Sequence, residues 1–271
     1  MSRPVHIITL VKWVPDAQLE RRFTEQRRLD RSEGILGELD EHPIEAALQL
    51  RESLPERSVR VSALTVGPAG ASTALKKALQ LGADEAFHLA DDALAGADIF
   101  ATSAAAAAAV QKIFETAEFD ADEPAEQLIL TGMSSEDGES GAVPAQLAER
   151  LGVPALTQAT ELSLTTGHLV VARISGDVQQ RLDVRLPAVV SVTDQANDPR
   201  YPNFKAIMAA KKKPVTTWAL TDLGVAASAV TSRVEVLTAA ARPPRTSGQI
   251  ITDEGDAGAK IVDYLVKERL L

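Results

Sequence analysis

The chain has 271 residues, with 38 acids against 28 bases, no cysteine, four histidines and few aromatics: two Trp, two Tyr and six Phe. Its 45% hydrophobic content supports a globular core, whereas the missing cysteines exclude disulfides, thiolate catalysis, iron–sulfur clusters and zinc–thiolate sites. A formal charge of −10 argues against a protein that grips nucleic acid, and the scattered His6, His42, His88 and His168 have no i, i+4 pair to hold a metal.

From the N-terminus, residues 5–11 form an apolar run after Arg3 and before Lys12 and Pro15. No small-residue cleavage site follows, so the run reads as a first strand rather than a signal peptide. Neither it nor residues 104–110 approaches the roughly 18 residues of a membrane span. A cytoplasmic protein without membrane insertion is expected, or a mitochondrial matrix protein in a eukaryote.

Residues 40–54 then carry Ile44, Ala47, Leu48 and Leu54 at helical spacing, and residues 58–66 are strand-like. Ala71, Ala74, Leu75, Ala78 and Leu79 make the apolar stripe of a second helix, which Gly82 closes. Gly67 to Thr73 joins that strand to that helix as a plain turn. A strand over 85–90, a helix over 98–116 and a strand over 127–131 follow. The alanine run 104–109 allows that helix to pack closely. Repeated β–α–β units with apolar strands imply a parallel sheet covered on both faces.

Beyond Gly152 the pattern changes. Residues 160–164, 168–175 and 178–186 are strand-like and separated by Thr165, Thr166 and Gly167 and by Gly176 and Asp177, which predicts consecutive hairpins added to the parallel core. Residues 188–193 form a further strand. A loop over 197–203, stiffened by Pro199 and Pro202, leads to Ile207, Met208 and Lys211 to Lys213. The lysines suit a helix C-terminus or an acidic partner. Tyr201 and Phe204 either plug the core or anchor another protein. The last stretch is too poor in aromatics for its own core and reads as an arm.

The most informative segment is Gly132, Met133, Ser134, Ser135, Glu136, Asp137, Gly138, Glu139, Ser140, Gly141, Ala142 and Val143. It leaves a buried strand and enters a helix whose face is Val143, Leu147 and Leu151. Small residues there let backbone N–H groups approach a phosphate, and the helix end adds partial positive charge. A solvated connector has the same composition. The G-x-G-x-x-G, P-loop and G-x-S-x-G motifs are all absent. No Ser/His/Asp or paired-carboxylate constellation can be assembled, and nothing identifies a catalyst.

Taken in order, residues 10–16, 40–47, 64–68, 78–84, 132–143, 186–190, 198–202 and 207–213 make the chain resemble the small (beta) subunit of electron transfer flavoprotein. The resemblance implies an α/β adenine-nucleotide-binding fold, similar to the adenine nucleotide alpha hydrolase-like and universal stress protein group. It implies a nucleotide domain over 1–193, a partner-recognition loop and short helix over 194–214, and an arm over 215–271 packing on a larger alpha subunit. That alpha subunit would hold most of a redox-active FAD. The beta subunit would bury a structural AMP at Leu10, Asp40, Val66 and Gly132 to Val143. Tyr201, Phe204, Ile207, Met208 and Lys211 would dock acyl-CoA and related dehydrogenases. A membrane-bound quinone oxidoreductase would be the acceptor. In electron-bifurcating relatives a second FAD takes the AMP site, and a free-standing nucleotide sensor shares the core. Departures are Met133 and Ser134 where Lys and Gln are common, Gly37 and Glu38 for Asn-Pro, and Ala17 or Leu39 where an aromatic residue often meets the flavin.

Overall fold

The computed structural model describes residues 3–119, 123–244, 248, 250 and 252–271. Two compact units divide the chain, residues 1–239 and residues 240–271.

In the first unit, β1 (Val5–Leu10) alternates so strictly that Ile7 and Ile8, both fully buried, enter separate cores on opposite faces of the sheet. A two-stranded ribbon of β2 (Trp13–Val14) and β3 (Ile35–Leu36) brackets an excursion before α1 (Glu41–Ser53). Next come β4 (Val59–Val66), α2 (Ser72–Leu81), β5 (Glu85–Leu89), α3 (Ile99–Thr116), β6 (Glu126–Gly132) and α4 (Val143–Leu151). The strands β7 (Ala155–Thr165), β8 (His168–Ser175), β9 (Val178–Arg185) and β10 (Ala188–Val192) follow, then α5 (Phe204–Ala210) and β11 (Val215–Trp218). The sheet order is β11-β5-β4-β1-β6-β10-β7-β8-β9. Every pair from β11 to β7 is parallel, and the β7–β8 and β8–β9 pairs are antiparallel.

One core packs α1 and α2 on the sheet through Ile44, Leu48, Leu75 and Ala78. The other packs α3 and α4 through Ala105, Ala109, Val110 and Leu147. Buried alanines keep α3 close to its neighbours, as the alanine run predicts. The turns at Gly167 (φ 72°) and Gly176 (φ 59°) lie in the left-handed region, which is why glycine closes both hairpins. At the amino end of the sheet, the buried Arg57 and Glu126 pair at 2.6 Å, and Arg57 Nε donates to the Arg3 carbonyl at 2.9 Å. This joins the starts of β1, β4 and β6.

One boundary needs correction. Residues 215–239 do not belong to the arm that the sequence places over 215–271. Val215–Trp218 is the edge strand of the main sheet, Trp218 stacks on Phe87 with ring centroids 5.0 Å apart, and Leu220 and Val230 are buried in the second core. A four-residue strand of Val, Thr, Thr and Trp is too short to show periodicity.

The second unit is small. Its helix α6 (Ala257–Lys267) has no buried residue, and it presents Ile261, Val262 and Val266 to solvent.

Candidate functional site

Parallel strands that end together leave a crevice outside their carboxyl ends, where the connections to the next helices diverge. Here that crevice lies over the ends of β1, β4 and β6. Leu10, Val11, Leu64, Val66 and Ala106 form its apolar walls, and Lys12, Asp40, Thr102, Thr131, Gly132, Ser134, Ser135, Ser140, Gly141, Val143 and Pro144 complete the lining.

Its floor depends on Gly132. A Cβ at this position would lie 2.6 Å from Asp40 Oδ1 and 2.9 Å from the Leu39 carbonyl oxygen, so only glycine lets the end of β6 pass the start of α1 this closely. Asp40 is buried there and accepts the Lys12 N–H at 2.7 Å. Burial raises its carboxyl to about 7. The Lys12 N–H and charge oppose that rise, and nearby Glu136 adds to it.

The following loop is held by charge. Lys12 Nζ donates to Asp137 Oδ1 at 2.8 Å and to Ser135 Oγ at 3.2 Å, and Arg31 donates to the other Asp137 oxygen. Burial would raise the Asp137 carboxyl. The Lys12 charge, with hydrogen bonds from Lys12, Arg31 and Ser135, outweighs burial and holds it well below the ordinary carboxylate range. Glu136 Oε1 accepts the Glu38 N–H at 2.7 Å, which ties the loop to the start of α1. Glu139 (φ 49°) and Gly141 (φ 59°) turn the chain through left-handed conformations into α4. Ala142 offers that helix no side-chain cap and Pro144 lies in its first turn, so backbone donors at the start of α4 are left for something else to satisfy.

Of the residues singled out by sequence, Leu10, Asp40, Val66, Gly132, Ser134, Ser135, Ser140, Gly141 and Val143 line the crevice. Asp137 and Glu136 brace the loop instead, and Met133, Gly138, Glu139 and Ala142 complete its path without lining it. Sequence reasoning missed Lys12 and Arg31, whose meeting with Asp137 spans 125 and 106 residues of chain. It also missed Thr102 and Ala106 on α3, which look like ordinary helix residues.

The other candidate surface is the loop before α5. Tyr201 is 91% exposed and Phe204 78%, so neither plugs the core. Met208 and Lys211 are also exposed, and Ile207 is half-buried. Lys213 is turned inward, donating to the Leu79 carbonyl at 3.0 Å and to the Ala83 carbonyl. It thus satisfies carbonyls at the end of α2, not those of its own helix.

A mainly parallel sheet with a crevice at its strand ends defines a Rossmann-like α/β protein. Residues 28–223 match the electron transfer flavoprotein domain. The chain is 40% identical to the electron transfer flavoprotein subunit beta of Mycobacterium leprae, over 98% of its own length and 99% of that protein. It is 32% identical to the same subunit of Thermoanaerobacterium thermosaccharolyticum over 82% of its length and 81% of the relative. It is also 31% identical to the caffeyl-CoA reductase-Etf complex subunit CarD of Acetobacterium woodii, over 92% of each chain. The chain belongs to the electron transfer flavoprotein family, among its beta subunits. Electron transfer is therefore its role, and an alpha subunit its general partner. Among the described residues, no helix is long and apolar enough to cross a membrane, and no group of three or more His, Asp or Glu could hold a metal ion.

Asp40 gives a pH test with a definite sign. Its folded value of about 7 lies above the ordinary 3.8, so between those limits the native state holds a proton that the unfolded chain has released. Stability should fall as pH rises through that window, by on the order of 4 kcal/mol. Asp40→Asn keeps a carbonyl acceptor for the Lys12 N–H and removes the titration. In urea unfolding of the protein, the variant should lose this pH slope and exceed the parent in stability at pH 8. An unchanged slope would mean that Asp40 is ionised throughout.

Proposed function

We propose that the crevice holds AMP as a structural ligand and that the chain, paired with an alpha subunit carrying most of an FAD, docks to acyl-CoA and related dehydrogenases. The observation that carries the reading is the fit of the crevice to a nucleoside monophosphate. The walls at Leu10, Leu64, Val66 and Ala106 suit an adenine and sugar, the Gly132 passage leaves room for close backbone approach, and the uncapped start of α4 suits a phosphate.

In this role the nucleotide contributes binding energy between β1, the start of α1 and the loop, while the flavin accepts and releases the electrons. The chain's own residues keep the site in shape. Lys12 and Arg31 fix Asp137, Glu136 holds Glu38, and no side chain is asked to make or break a bond. The exposed apolar residues of α6 suit an arm on the alpha subunit. A membrane-bound quinone oxidoreductase is the natural acceptor in this scheme.

Docking falls to the loop before α5. Tyr201 and Phe204 project from a segment stiffened by Pro199 and Pro202, so little conformational freedom is lost when they enter a partner's pocket. A free-standing nucleotide sensor would need neither this loop nor an apolar arm.

Two measurements test the reading. The purified heterodimer, denatured and analysed by mass, should release about one AMP and one FAD; two FAD and no AMP would move the chain to the bifurcating type. Phe204→Ala should slow reduction of the heterodimer by an acyl-CoA dehydrogenase at least tenfold, the equivalent of about 1.4 kcal/mol, while the flavin spectrum and Tm stay near those of the parent. Normal transfer with a lower Tm would make Phe204 a structural residue and end the docking assignment.

A further inference from the structure

The segment from Asn197 to Lys213 is fastened at both ends. Asn197 Nδ2 donates to the His42 carbonyl at 3.1 Å, and His42 Nδ1 lies 3.0 Å from the Asn197 carbonyl oxygen. Arg200 then forms a two-pronged clamp on α1. Its Nε donates to Glu45 Oε2 at 2.7 Å and its Nη2 to Glu45 Oε1 at 2.9 Å, while Nη1 donates to Glu52 Oε1 at 2.7 Å. Glu45 and Glu52 are seven residues apart, two turns along one face of α1. At the far end, Lys213 reaches the carbonyls closing α2.

Between these attachments the chain exposes its two aromatics. Tyr201 follows Arg200 directly, and Asn203 caps α5 by accepting the Ala206 N–H at 2.9 Å, which sets the position of Phe204 as the first residue of that helix. Neither aromatic gains burial from the fold. Their geometry therefore depends on what the neighbouring residues hold, and Arg200, next to Tyr201 in the chain, is joined to the body of the protein through both Glu45 and Glu52. The Glu45 side chain is 6% exposed and the Arg200 side chain 36%, so the carboxylate is withdrawn from water while the guanidinium stays partly in it, and the two-oxygen geometry of the contact is what fixes it. Glu45 also accepts from Gln49 at 3.1 Å, which fixes its rotamer from the other side.

We propose that Arg200 is a positioning residue for electron-transfer docking: by forking Glu45 and Glu52 it holds the turn bearing Tyr201 and Phe204 in its docking geometry before a dehydrogenase arrives. The inference rests on the docking role proposed for Phe204 and adds the element that sets it. Ordering done in the folded protein does not have to be done on encounter, so the clamp acts on association and not on the electron-transfer step itself. A lysine cannot replace it. One ammonium lacks the planar fork that engages both Glu45 oxygens and Glu52 together.

The test uses the flavin-loaded heterodimer with a substrate-reduced acyl-CoA dehydrogenase as variable partner, and Phe204→Ala as the reference variant. Arg200→Gln and Arg200→Lys should each raise the KM for the dehydrogenase about tenfold, with kcat within twofold and the flavin spectrum unchanged. Wild-type KM in Arg200→Lys would assign the effect to surface charge and overturn the proposal. So would wild-type KM in Arg200→Gln beside an impaired Phe204→Ala. If Phe204→Ala transfers normally, the docking reading fails first and the clamp has nothing to position. Should the Arg200 variants not fold, Glu52→Ala decides, because its side chain is 58% exposed and its removal leaves the Glu45 contact in place. A KM rise of about threefold supports the clamp, and an unchanged KM overturns it.

Discussion

The approach of β6 to the start of α1 at Gly132 is the contact from which the rest of the site follows. Because no side chain separates them, Asp40 and Leu39 sit against the strand end, and Asp40 can accept the Lys12 N–H where the chain leaves β1. Lys12 then directs its ammonium across to Asp137 and Ser135 in the loop that β6 continues into. One glycine thus brings together three segments far apart in sequence. The crevice between them is closed below by the sheet and bounded on one side by an uncapped helix. Burying a carboxylate at this junction has a cost, expressed in the raised Asp40 carboxyl. The electrostatic attachment of Asp137 to Lys12 and Arg31 keeps the loop from springing away.

Much of this was legible in the sequence because its physical signals are local. Apolar runs fixed the buried parallel strands, glycines marked both hairpin turns, and the Gly/Ser content of residues 132–143 announced a loop that backbone groups could use. The contacts that hold the site are not local. Nothing in the composition of Lys12 or Arg31 says that they meet Asp137, and Thr102 and Ala106 join the crevice only because α3 passes over the sheet there. The same limit hid β11, whose place beside β5 comes from pairing and from the stacking of Trp218 on Phe87. Lys213 was misread for a related reason: in a run of three lysines it resembles surface charge, yet it caps another helix. The order of short family-like segments carried the functional reading further than any single residue type could.

The helix α1 ties the crevice and the exposed loop before α5 to one frame. Its start lies at the crevice through Asp40, and one of its faces carries His42, Glu45 and Glu52, which hold the exposed loop. The division of labour suits an electron carrier. A rigid α/β body keeps the crevice and the exposed loop before α5 in fixed relation.

Amide hydrogen exchange on the heterodimer freed of any bound nucleotide, with and without added AMP, tests the proposed placement of AMP most directly. The geometry predicts that AMP slows exchange at residues 10–12 and 132–145, where the crevice and the start of α4 meet, and leaves β8 and β9 unaffected. Binding of AMP with protection confined to any other part of the chain, or no protection at all, would contradict it.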